Sequence, residues 1–106
     1  MDNKIYVGGD LKFIVEPEAD GFDKDRDEWE VTISRGSVEH TFSKSELAME
    51  TVDQKNNYYV CFSTEEFGAG QYYITVTTHT PDEDFDDGFR DEPMQYALCK
   101  VEKLKK

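Results

Sequence analysis

The sequence predicts an all-β chain folded as an antiparallel sandwich of about six to eight strands. Three observations carry that prediction. Apolar and polar residues alternate with period two in one run after another, which commits one face of each run inward. β-branched and aromatic residues fill those runs, and aromatics make up 13% of the chain. Turn signals separate the runs, and no stretch holds a helical period long enough for a stable helix.

The chain has 106 residues, which suits one domain, 1–106, with a single core. Leu11, Phe13 and Val15 alternate with Lys12, Ile14 and Glu16 until Pro17 stops the run. That is a strand at an edge or start of a sheet. Residues 18–27 form an acidic loop. Trp29, Val31 and Ile33 then alternate with Glu30, Thr32 and Ser34. After the turn Arg35-Gly36-Ser37, Val38, His40 and Phe42 alternate with Glu39, Thr41 and Ser43, so the two runs read as a hairpin. Ser43 to Glu50 reads two ways: Ser43 with Glu46 is a capping box that starts a helical turn, but the segment is too short to stand alone as a helix.

Gln54–Asn57 is a polar turn, and Tyr58–Phe62 is apolar on both faces, as in a central strand. Thr64–Gly70 suits a single turn that ends at glycine. From Gln71 to Thr80, Tyr72, Ile74 and Val76 face one way and Tyr73, Thr75 and Thr77 the other, until Pro81 ends the strand. Residues 82–92 are a second acidic loop, and Pro93 precedes a last strand from Met94 to about Glu102. The tail 103–106 frays. The predicted core is Phe13, Trp29, Val31, Ile33, Val60, Phe62, Tyr72, Ile74, Val76 and Leu98.

Charge excludes whole classes of function. The chain carries 12 Lys and Arg against 24 Asp and Glu, a formal net charge of -12. A phosphate backbone is neutralised by clustered cations, so nucleic acid is not the partner. Anionic membrane surfaces are disfavoured on the same ground. The N-terminal residues Met1–Gly9 lack the apolar run of a signal peptide, and no segment is apolar enough to span a bilayer. The expectation is a soluble protein, cytoplasmic when synthesised. Cys61 and Cys99 have neither CxxC spacing nor His partners at zinc-ligand spacing. They read as two small buried hydrophobes, unpaired in a reducing compartment.

Fifteen of the 24 acids fall within residues 16–30 and 82–92. Asp23, Asp25 and Asp27 make one DxDxD run; Asp82, Asp84 and Asp86 make another, followed by Asp87 and Gly88. Alternate carboxylates on a curved loop can supply several of the oxygens a hard cation wants. Asp82, Asp84, Asp86 and Asp87 are thus the candidate metal ligands. The calcium-loop template fails, however, because Asp87 stands where the template has glycine and Pro93 where it has glutamate. Weak calcium binding is the most this pattern supports, with no other cofactor. Carboxylates crowded in this way are expected to raise one another's pKa. Phe85 and Phe89 flank Gly88 and read two ways: folded back to pin the loop onto the domain, or candidate anchors for a partner chain. Catalysis has little to stand on: His40 and His79 lie within strand patterns, and no nucleophile elbow, phosphate loop or HExxH motif occurs.

Gly9-Asp10 leads into the strand Leu11–Val15, the hairpin Trp29–Phe42 follows, and Tyr58–Val76 reads as strand, short turn, glycine and returning strand. Over roughly residues 8–80 this order resembles the small immunoglobulin-like β-sandwich modules of tailed-phage and prophage structural proteins, with the N-terminal domain of baseplate upper proteins the nearest type. The acidic loop 82–92 and the strand after it depart from that pattern. The resemblance implies an immunoglobulin-like sandwich and a non-enzymatic virion part that assembles with copies of itself or with neighbouring proteins. An alternative from another class is a stand-alone cation-dependent module that binds carbohydrate or another ligand. Exposed Trp29, Tyr59 or Tyr73 in a shallow groove would favour it.

Overall fold

The computed structural model describes residues 4–104. Eight strands occur among them: β1 (Ile5–Tyr6), β2 (Asp10–Val15), β3 (Glu28–Arg35), β4 (Val38–Ser43), β5 (Ala48–Val52), β6 (Lys55–Ser63), β7 (Gly70–Pro81) and β8 (Phe89–Glu102). They form a five-stranded sheet in the order β1-β8-β7-β3-β4 and a three-stranded sheet in the order β2-β6-β5. Every pairing is antiparallel except that of β1 with β8, which is parallel through Ile5↔Val101 and Tyr6↔Glu102. This is the immunoglobulin-like arrangement. β3, β7 and β8 take the places of strands C, F and G, extended by β4, while β2, β6 and β5 take those of B, E and D.

The period-two pattern explains how the sheets face each other. Trp29, Val31 and Ile33 of β3 and Tyr72, Ile74 and Val76 of β7 are buried, and they meet Tyr58, Val60 and Phe62 of β6. The Trp29 and Tyr58 rings pack edge to face at 5.2 Å, and Phe62 stacks on Tyr72 at 6.1 Å. A buried Trp on this strand is a hallmark of the fold, and so is the Tyr near the start of β7. The Tyr72 hydroxyl donates to the carbonyls of Gly68 (2.6 Å) and Thr64 (3.2 Å), tying the 3-10 turn Thr64–Glu66 to the strand that follows it. Gly70 has a φ of 141°, and a Cβ there would lie 2.8 Å from Cδ of Arg35, so only glycine fits beside that side chain.

The structure corrects several expectations. Phe13 and Leu98 are half-buried at the margin of the core: Phe13 sits on β2, an edge strand of the small sheet, and Leu98 on β8 of the large sheet, which the narrower sheet does not cover fully. Val15, Tyr58, Phe67 and Val101 join the core. Ser43–Glu50 divides into a 3-10 turn, Lys44–Glu46, and the edge strand β5. Glu46 Oε1 accepts from both the N–H (3.0 Å) and the Oγ (2.9 Å) of Ser43. The turn placed at Gln54–Asn57 is instead Asp53-Gln54, with both residues at positive φ (51° and 66°), and the strand resumes at Lys55. Paired positive φ gives a two-residue hairpin turn the right-handed twist its strands need.

The last strand begins at Phe89 rather than Met94 and passes through Pro93. The Asp82 N–H donates to the Gly88 carbonyl at 2.8 Å, and Pro93 lies opposite Thr77. Alternation from that bond puts Thr77 and Pro93 at a non-hydrogen-bonded pair, so the missing N–H of Pro93 falls on the outer edge and costs the ladder nothing. Cys61 is exposed on the outer face of β6 and Cys99 is half-buried, so neither is the fully buried hydrophobe expected; both thiols are free. Lys103 and Leu104 follow β8 without regular structure, while 105–106 of the tail and 1–3 of the N-terminus lie outside the described residues. No helix among the described residues is long and apolar enough to cross a membrane.

Candidate interaction end

Both acidic loops lie at one end of the sandwich, and Arg90 holds them together. Arg90 pairs across β7 with Thr80, one step from the mouth of the β7–β8 hairpin. Its guanidinium binds Asp82 Oδ2 at 2.7 Å and Glu92 Oε1 at 2.6 Å, and it also donates to the backbone carbonyl of Asp20 in the other loop. The fork geometry of arginine suits this task, because one planar group can serve three acceptors. Thr80, opposite it on β7, lies on the buried face, 1% exposed, and its hydroxyl has no hydrogen-bond partner among the described residues.

The loop after β2 is built from its own acids. Asp23 Oδ1 accepts from the N–H groups of Asp25 (2.9 Å) and Arg26 (3.2 Å), and Asp27 Oδ2 accepts from the N–H of Asp23 (2.9 Å). Asp27 is buried and receives Arg26 through two nitrogens, at 2.9 and 3.0 Å. Asp25 Oδ1 accepts from the Tyr58 hydroxyl (2.8 Å) and from Asn56 (3.1 Å), which anchors the loop to β6. Lys44 Nζ reaches the carbonyls of Asp25 (2.8 Å) and Asp27 (3.0 Å), while Trp29 Nε1 donates to that of Lys24 (2.9 Å).

At Asp25 and Asp27 the shift is opposite to the mutual raising expected from crowded carboxylates. Asp25 is held below the ordinary carboxylate value, first by the Tyr58 hydroxyl and then by Asn56. Asp27 is lowered first by its hydrogen bond from Arg26. Donors aimed at the anion outweigh the neighbouring charges. Tyr58 is pushed up to about 12, first by burial and then by its bond to Asp25.

The β7–β8 hairpin is tied only at its base. Asp82 Oδ1 accepts from the Asp84 N–H (3.0 Å) and Asp87 Oδ1 from the Phe89 N–H (3.1 Å). Of the four candidate ligands, Asp82 thus has both oxygens engaged, and Asp87 acts as a turn cap. Among the described residues no group of three or more acidic, His or Cys side chains is placed to hold a metal ion. Phe85 is 48% exposed at the turn, flanked by Asp84 and Asp86, which are exposed too. Phe89 folds back: its ring stacks on His79 at 4.0 Å, and His79 Nδ1 is paired with Asp91.

Beside the hairpin, β8 pairs with β1 only at Val101 and Glu102, so its outer edge from Phe89 to Lys100 has no strand beside it among the described residues. Met94 and Tyr96 on that strand are 40% and 51% exposed. Pro93, with its missing N–H on this edge, obstructs pairing in the middle of it. The aromatic residues weighed for a ligand platform do not converge. Trp29 is buried, Tyr59 lies on the outer face of the small sheet under Lys12 Nζ at 4.6 Å, and Tyr73 lies on the outer face of the large one.

Sequence reasoning placed both acidic loops and Phe85 but missed Arg90, whose partners are up to 70 residues away in the chain. It also missed the Tyr72 corner, for which Gly68 and Gly70 just ahead of a Tyr-bearing strand were the available signal. Compared with family models, with curated proteins and with solved structures, the chain gives no match.

Proposed function

We propose that this chain is a non-enzymatic interaction module, a structural part of a phage or prophage virion that engages copies of itself or neighbouring proteins through its acidic-loop end. The observation that carries the reading is the convergence of two acidic loops at one end of a rigid sandwich, joined by Arg90 and presenting an exposed Phe85. Rigid scaffolds place binding residues on such loops. In immunoglobulin variable domains the same end bears the binding loops, which is support by analogy of architecture. The resemblance of residues 8–80 to phage structural modules supports the virion assignment.

The test is mass spectrometry and immunolabelling of particles purified from a lysing host culture, alongside sedimentation of the isolated chain. The expected result is the chain within the particles at stoichiometric amount. A chain absent from particles and monomeric alone would overturn the reading. A cation-dependent ligand module would instead show a large calcium-specific rise in melting temperature. Saturating one site would add roughly 10–20 °C for a domain of this size. The expected shift is far smaller, because Asp82 is already neutralised by Arg90.

A further inference from the structure

We propose that copies of this chain associate head to tail, the Phe85 hairpin of one copy seating in a lysine-rimmed groove at the opposite end of the next. The proposal rests on the assembly reading above and names its surfaces. The groove has a volume of about 700 Å³ and lies where β1, β8 and the start of β7 meet. Lys4, Lys100 and Lys103 line it, with Tyr6 and Leu104 supplying apolar surface, 38% and 64% exposed. Among the described residues Glu102 is its single acid, and that carboxylate is paired with Lys4 at 3.6 Å. In a chain of net charge -12, a groove with three lysines and one acid is the exception.

The hairpin is its complement. Glu83, Asp84, Asp86 and Asp87 surround Phe85, all exposed, on a tight turn closed by the Asp82–Gly88 and Gly88–Phe85 backbone bonds. Acid flanks would meet the lysines while the ring meets Tyr6 and Leu104, the pattern of an aromatic anchor inside a charged rim. One molecule cannot satisfy both surfaces itself. β8 carries the hairpin at its start and the groove at its end, separated by roughly 40 Å of strand. The molecule is 56 Å along its longest axis, so the two surfaces face away from each other. A contact between different patches is heterologous and, unless its rotation closes a ring, propagates. Repulsion between acidic molecules keeps it weak.

Sedimentation of the full chain tests this at concentrations up to about 1 mM, a range that detects weak contacts. The wild-type mass should rise with concentration and pass the dimer without a plateau. Phe85→Asp blocks the hairpin, and Lys100→Glu with Lys103→Glu blocks the groove; all three side chains are exposed, so each variant should keep the wild-type melting curve. Each variant alone should be monomeric, and a 1:1 mixture should stop at the dimer, because only one productive pair of surfaces remains. Asp84→Asn with Asp86→Asn, a milder change to the hairpin, should weaken association several-fold. Wild type that stays monomeric, variants that associate as wild type does, or a mixture that stays monomeric would each overturn the proposal. Association that ignores these substitutions would leave the assembly reading standing and remove only this arrangement.

Discussion

In the loop after β2, Asp23, Asp25 and Asp27 accept hydrogen bonds from the loop's own backbone, from Arg26 and from Tyr58 of β6. In the hairpin after β7, Asp82 and Asp87 brace the base while Asp84, Phe85 and Asp86 stand in solvent. The two segments have nearly the same composition and lie at the same end. What separates them is length and what lies beneath. The first loop must cross from one sheet to the other over the end of the core, where buried donors await carboxylates. The second joins neighbouring strands of one sheet and has nothing to span. Acidic composition is therefore neutral about role: a carboxylate becomes structural when the fold presents donors to it, and stays available to a partner when it does not.

Substitutions can break that contrast. The largest effect is expected at the foot of the first loop: Trp29→Ala should cost about 3–5 kcal/mol in urea unfolding, because it empties a buried site and frees the Lys24 carbonyl. Phe85→Ala, the matching aromatic of the hairpin, should change stability by less than about 0.5 kcal/mol. Next comes Asp27→Ala, which removes the buried carboxylate that accepts from the Asp23 N–H and from Arg26; a loss of about 1–3 kcal/mol is expected, against nearly none for Asp86→Ala. Equal effects at Asp27 and Asp86 would dissolve the comparison.

Titration sharpens it at both extremes of pH. Asp25 and Asp27 are depressed in the folded state, so their contribution is present above the ordinary carboxylate value of 3.8 and is lost as pH falls through the depressed values. Tyr58 is raised from 10.0 to about 12, so its contribution is present below 10 and is lost as pH climbs through that interval. Thermal melts of Asp27→Asn should show a flatter acid limb, and those of Tyr58→Phe a flatter alkaline limb. An effect of the opposite sign is expected at Thr80, whose buried hydroxyl has no partner among the described residues: Thr80→Val should be neutral or stabilise by about 1 kcal/mol. A loss beyond that would mean the hydroxyl has a partner after all.

Much of the sandwich was legible because alternation is a local signal. Trp29, Val31 and Ile33, and likewise Tyr72, Ile74 and Val76, declare their buried face within six residues, and the capping pair Ser43 and Glu46 announces its turn. β5 was ambiguous because an edge strand with no buried residue has no inward face to declare. The true start of β8 was hidden by Pro93, which reads as a break in one dimension and as an edge residue in two. By itself the sequence determined an all-β chain, most of its core, and a formal net charge of -12, since these follow from residue type and spacing. Only the tertiary structure decided that both acidic loops share one end, that Arg90 joins them, and that three lysines gather at the other. Those facts depend on which strands become neighbours, and strand order is set by contacts between residues far apart in the chain.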